Sequence, residues 1–199
     1  MAGYKIFSAP SAEPITSTEA KLHLKIDSDT TDDNLITYLI QAAREQAEAF
    51  TNRALITQTW DLVLDNFPDN STPDGYDIYL SKSPVASITS ITYLDGSGAT
   101  QTLASSVYGL DNYGEPCRVY LKYGQSWPST YDQPGAVTVR FACGYGASGT
   151  SIPASIKAAM MLIIGHLYEH REDVVIGVSA VELPQGAQRL LYPYRVFKY

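Results

Sequence analysis

The chain has 199 residues, 45% of them hydrophobic and 18% charged, with a formal net charge of −7. These proportions describe a folded globular protein rather than a disordered tail, and the length allows one domain or two small ones. The acidic balance argues against a protein that grips nucleic acid through its phosphates.

Three regions follow one another. The first, residues 1–56, reads as helical. Thr16 and Glu19 have the spacing of a capping box, in which hydroxyl and carboxylate satisfy each other's free amides. A short helix through Leu22 and Ile26 follows, and residues 27–31 break it. Thr30 and Asp33 repeat the capping spacing. Leu35, Ile36, Leu39, Ile40, Ala43, Ala47 and Phe50 then recur every three or four residues. That pattern predicts a helix of about five to six turns with one apolar stripe. Arg44, Glu45 and Glu48 are expected on its polar side.

The second region, residues 57–146, reads as strands. Trp60, Leu62 and Leu64 alternate with Asp61, Val63 and Asp65, the period of a half-buried strand. Ile78 and Leu80 begin another, and residues 88–94 run into Asp95-Gly96-Ser97-Gly98, a hairpin signal. Val119, Leu121 and Tyr123 alternate, as do Val137, Val139 and Phe141. Connections rich in Pro and Gly at 69–75 and 124–135 separate them. An antiparallel sheet or small sandwich, inserted between helices, is expected.

The third region, residues 147–199, is again helical and ends in an aromatic tail. Pro153 suits a first helical turn, where its missing amide costs nothing. Ile156, Ala159, Met160, Ile163 and Leu167 share a face, and Met161, Leu162 and Ile164 make the other side apolar. A helix of this kind is expected to be buried on most sides. Residues 173–177 form a link before a last short helix over 185–191. The closing residues Leu190, Leu191, Tyr192, Tyr194, Arg195, Val196, Phe197 and Tyr199 are types that anchor interfaces. They are the candidate partner or subunit contacts, with packing onto the chain's own core as the competing reading.

Motifs that carry chemistry fail on inspection. His166-Leu167-Tyr168-Glu169-His170 spells the inverted zinc-protease pattern, and residues four apart on a helix can share a metal. A working site needs a third ligand, and Glu172, Asp173 and Glu182 sit on no evident second helix. Gly144, Gly146 and Gly149 match Gly-x-Gly-x-x-Gly, but Pro153 delays the helix whose amides would meet a pyrophosphate. Asp27, Asp29, Asp32 and Asp33 hint at a calcium loop, yet its sixth and twelfth positions hold Asp32 and Tyr38 rather than Gly and Glu. Neither a phosphate-binding Gly-Lys-Ser/Thr loop nor a nucleophile elbow occurs. Cys117 and Cys143 are too few for a disulfide scaffold, so free thiols are expected. The opening residues have no signal-peptide pattern, and the apolar run 158–165 is far short of the roughly 20 residues that span a bilayer. The expectation is a soluble protein with no catalytic residues, cofactor or metal.

A set of ordered motifs resembles a known family. Pro14-Ile15-Thr16 leads into Glu19-Ala20-Lys21-Leu22-His23-Leu24, then Asp32-Asp33-Asn34-Leu35-Ile36, Ala42-Ala43-Arg44-Glu45 and Phe50-Thr51-Asn52-Arg53-Ala54-Leu55. Gln58-Thr59-Trp60, Leu64-Asp65-Asn66-Phe67-Pro68, Phe141-Ala142-Cys143-Gly144-Tyr145-Gly146, Gly165-His166-Leu167-Tyr168-Glu169 and Pro193-Tyr194-Arg195 follow. Together they resemble the head–tail connector (head-completion adaptor) proteins of long-tailed bacteriophages. The resemblance implies an α+β adaptor whose N- and C-terminal helices pack together around an inserted antiparallel β-rich region. It implies a ring, of about twelve copies, beneath the capsid portal, assembled in the host bacterial cytoplasm and resident at the head–tail joint of the virion. Its partners would be the portal protein and the next head-completion or tail protein, with DNA passing through a ring of total charge about −84 that repels it. The rival readings are a zinc hydrolase at His166 and His170 or a nucleotide-binding protein at residues 144–149. A third is another virion subunit such as a tail terminator or stopper, which lacks the long N-terminal helix followed by the Phe-Thr-x-Arg-Ala-Leu run.

Overall fold

The computed structural model describes residues 3–26, 29–69, 75–170 and 184–197. Within them it is a mixed α+β protein whose sheets are antiparallel. The chain divides into a sheet unit, made of Met1–Ser11, Thr57–Gly144 and Val196–Tyr199, and a helical unit, made of Ala12–Ile56 and Tyr145–Arg195.

The sheet unit holds eight strands among the described residues: β1 (Gly3–Ser8), β2 (Gln58–Leu64), β3 (Ile78–Leu80), β4 (Val85–Leu94), β5 (Thr100–Thr102), β6 (Tyr108–Asp111), β7 (Cys117–Leu121) and β8 (Val137–Cys143). They form a five-stranded sheet in the order β1-β2-β8-β4-β5 and a three-stranded sheet in the order β3-β7-β6. β8 is the centre, with Val137, Val139, Phe141 and Cys143 all buried on one face. Register puts Leu62 and Ile91 on either side of Val139, so three apolar side chains line up across three strands.

Three strands carry no alternation that marks them: β1, β5 and β6. Strand β1 lies in the stretch read as helical, and its side chains are exposed except for half-buried Tyr4. Being an edge strand open on both faces, it needs no apolar period. Tyr4 anchors it: the phenol oxygen accepts from the Ser81 amide at 2.8 Å, and the ring meets Phe141 edge-on. Burial pushes that phenol above its ordinary pKa.

Asp61 also departs from the reading of the sequence. It stands where an exposed strand position is expected and is nevertheless buried. Its cross-strand partner Arg140 donates from Nε and Nη2 to the two carboxylate oxygens at 2.7 and 2.8 Å. The hairpin turn after β4 forms around Asp95, whose carboxylate accepts from the Ser97 hydroxyl at 2.6 Å and also from the Ser97 amide, the Ala99 amide and Gln101. Those donors, the Ser97 hydroxyl first, lower its pKa to about 2.

The helical unit contains α1 (Ser17–Leu24), α2 (Asp33–Thr51), α3 (Ala154–Glu169) and α4 (Gln185–Leu191). The capping box at Thr16 and Glu19 is present on both sides. The repeat at Thr30 and Asp33 is not: the cap residue of α2 is Asp32, without a side-chain cap bond. Asp29 instead takes up the turn, accepting from the Thr31 amide and hydroxyl. Pro153 sits one position earlier than a first-turn residue, as the cap of α3.

One apolar core unites Ile36, Ile40, Ala43 and Ala47 of α2 with Ile156, Ala159, Met160, Ile163 and Ile164 of α3 and Ala187 and Leu191 of α4. The outward side of α3 is less enclosed than its composition predicts, since Leu162 is 40% exposed. Residues 27–28, 70–74, 171–183 and 198–199 lie outside the described residues, and with them Asp27, most of the 69–75 connection, the 173–177 link, Glu172, Asp173, Glu182 and Tyr199.

Candidate interaction surfaces

The run from Arg44 to Ile56 is explained by what it joins. Arg44 is expected on the polar side of α2 but is only 7% exposed. Its Nε donates to Glu13 at 2.8 Å and its Nη1 to Glu48 at 3.1 Å. Glu13 lies 31 residues earlier, so spacing within the helix gives no sign of it. Glu48 in turn accepts from the Leu55 amide at 2.8 Å. α2 closes on Thr51, whose hydroxyl donates to the Ala47 carbonyl, and on Asn52 in the left-handed conformation (φ 57°). Arg53 is buried, donates from Nε to the Tyr194 carbonyl, and lies 5.9 Å from the Tyr145 ring centre. Leu55 then accepts from the Tyr145 amide, and Ile56 pairs with Gly146. Two buried cations thus tie three distant segments together without any reacting group.

The glycine run is likewise a packing device. A methyl added at Gly149 would strike the Pro14 carbonyl oxygen, and one added at Gly146 would meet Ser151. A short 3-10 turn over Gly149–Ser151 separates the run from α3, so no helix amides open into it. His166 and His170 lie with ring centres 4.6 Å apart, and the Nδ1 of His170 is 3.1 Å from the His166 carbonyl oxygen. Among the described residues no group of three or more His, Cys, Asp or Glu side chains is placed to hold a metal. Cys117 and Cys143 are buried and form no disulfide. No helix among the described residues is long and apolar enough to cross a membrane.

The tail is split by its surroundings. Leu191 and Val196 are buried, and Leu190 and Tyr194 are half-buried against the helical core. Tyr192 is 59% exposed and Phe197 56% exposed, and Arg195 is exposed with its guanidinium 5.4 Å from the Phe50 ring centre. The exposed side chains among these tail residues are therefore Tyr192, Arg195 and Phe197. Alternation in the tail could not reveal the burial of Leu190, Leu191 and Tyr194, because it depends on α2 and α3. Exposed aromatics that the sequence reading did not single out include Tyr38 on α2 and Tyr113 and Tyr123 at the ends of β6 and β7.

An α+β fold of this kind occurs in solved gene transfer agent particles. A chain from the neck of an empty gene transfer agent particle, computed with C6 symmetry, is similar to this one with a TM-score of 0.81 and 22% identity, over 99% of this chain and 97% of that chain. A chain from the virion of a native gene transfer agent particle has a TM-score of 0.78 and 23% identity, covering 98% and 96%. A chain from the neck of the native particle, computed with C12 symmetry, has a TM-score of 0.71 and 21% identity, covering 99% and 97%. Residues 15–92 match the model of the phage gp6-like head–tail connector proteins, the family that the residue motifs resemble. No curated protein matches the chain.

Proposed function

We propose that the chain is a structural subunit of a phage neck, forming a ring below the capsid portal that extends the DNA channel and offers a docking surface to the next head-completion or tail protein. The observation that carries this reading is the agreement of two independent likenesses. Residues 15–92 match the connector family, and the whole fold matches neck chains over 99% of its length. Such a subunit works without catalysis, through many modest contacts repeated by symmetry. The net charge of −7 suits a ring that DNA must slide past, because like charge keeps the duplex from sticking. Assembly in the bacterial cytoplasm, with the portal as the first partner, completes the reading.

Electron microscopy of particles made without this gene tests it. DNA-filled or leaking heads beside finished, unattached tails are the expected result. Normal tailed, infectious particles would sink it.

A further inference from the structure

Helix α3 packs against both α2 and α4, whereas α2 and α4 meet only at a margin. The outward faces of α2 and α4 therefore lie on different flanks of the helical unit. On α2 the side turned from the core shows Asn34, Tyr38, Gln41 and Glu45, all exposed and spaced by four, three and four residues. On α4 and the cap residue that follows it, that side shows Gln185, Arg189 and Tyr192.

The two faces differ in charge. Residues 184–192 contain Arg189 and no acid. Of the acids in residues 33–51, Asp33 is paired with Lys21 and Glu48 is largely buried beside Arg44, which leaves Glu45 as the acid of the outward face. Glu45 remains 59% exposed even with Arg44 3.5 Å away. Each face also carries an exposed tyrosine, a side chain suited to interfaces because it offers apolar area and a hydrogen bond at low entropic cost. A protomer of charge −7 repels its copies, so assembly needs local complementarity of this kind. Two different faces of one unit, each fitting the other, give a heterologous contact that repeats head to tail and closes when the rotation allows.

We infer that the outward face of α2 (Tyr38, Gln41, Glu45) in one copy seats the outward face of α4 (Gln185, Arg189, Tyr192) of the next, with Arg189 against Glu45. This rests on the ring reading above and names the surfaces that would build the ring.

The test uses particles made in a gene-deletion background and complemented with the full chain. Restoration of joined particles by the wild-type chain tests the ring reading alone. In that background Arg189→Glu and Glu45→Arg each lower the yield of joined particles at least about tenfold, while the two together return it to within about threefold of wild type. A second pair, Tyr38→Cys with Tyr192→Cys, needs no charge reversal. On oxidation of purified particles it yields a ladder of covalently linked protomers, and either cysteine alone yields monomer. The surfaces are wrong if the charge-swapped double variant stays as poor as the single ones and the cysteine pair gives no ladder in particles that contain the protein. Joined particles in the uncomplemented deletion would instead overturn the ring reading.

Discussion

The helical unit and the sheet unit solve the same problem by different means. The helical unit brings together pieces from residues 12–56 and 145–195, and a few buried groups do the joining: Arg44 to Glu13 and Glu48, Arg53 to the Tyr194 carbonyl, Gly149 against Pro14. The sheet unit distributes its joining over strand ladders, with Arg140 and Asp61 as a cross-strand pair in the middle of the β2–β8 register. Removing one contact from a ladder leaves the neighbouring rungs, whereas removing one buried cation strands its carboxylates. The helical unit is therefore the more fragile to single polar changes.

The largest expected effect breaks the close backbone approach. Gly149→Val forces the chain away from the Pro14 carbonyl and is expected to cost about 4 kcal/mol or more, leaving little folded protein on a thermal melt. Arg44→Met comes next, at about 3 kcal/mol, because Glu48 loses its cation in a nearly enclosed site. Urea titration followed by circular dichroism measures it, and an unchanged midpoint would refute the role given to Arg44. Ile163→Ala is expected to cost about 3 kcal/mol through a core cavity. Both tryptophans, Trp60 and Trp127, belong to the sheet unit, so fluorescence follows that unit while the helical dichroism signal follows the other. Ile163→Ala should lower the midpoint seen by dichroism more than the one seen by fluorescence; equal shifts would show that the two units unfold as one.

Smaller effects sharpen the comparison. Thr16→Ala removes one half of the capping box and should cost about 1 kcal/mol on the same melts. The Lys157 ammonium, 2.6 Å from Glu19, together with the Thr16 amide lowers the Glu19 pKa to about 2. A carboxyl depressed in the folded state stabilises above its unfolded pKa, and that contribution is lost as pH falls from the ordinary carboxylate range through about 2. Lys157→Met should move the Glu19 titration upward toward the ordinary range in an NMR pH series and reduce this acid sensitivity. Because Glu19 is 40% exposed, the change in stability is expected to be small.

Periodicity and local chemistry were enough to read α2, the capping box at Thr16, β8 and the hairpin signal at Asp95, because each is dictated by neighbours within a few residues. The same reasoning missed the fate of Arg44, which depends on Glu13, and of Asp61, which depends on Arg140. It missed β1 because an edge strand exposed on both faces leaves no pattern to read. Of the candidate contact residues in the tail, the sequence could supply the residue types but not the division into buried Leu191 and Val196 and exposed Tyr192, Arg195 and Phe197.

By itself, then, the sequence determined the helices and strands that carry a clear apolar period, and the family resemblance of its ordered motifs. Only the tertiary structure decided which polar side chains are buried, why the Gly146 and Gly149 positions leave no room for a side chain, and which faces remain for other molecules. The physical reason is the range of the forces. Hydrogen bonds within a turn and apolar periodicity act over three to four residues, whereas ion pairs and packing join positions that the chain alone keeps far apart.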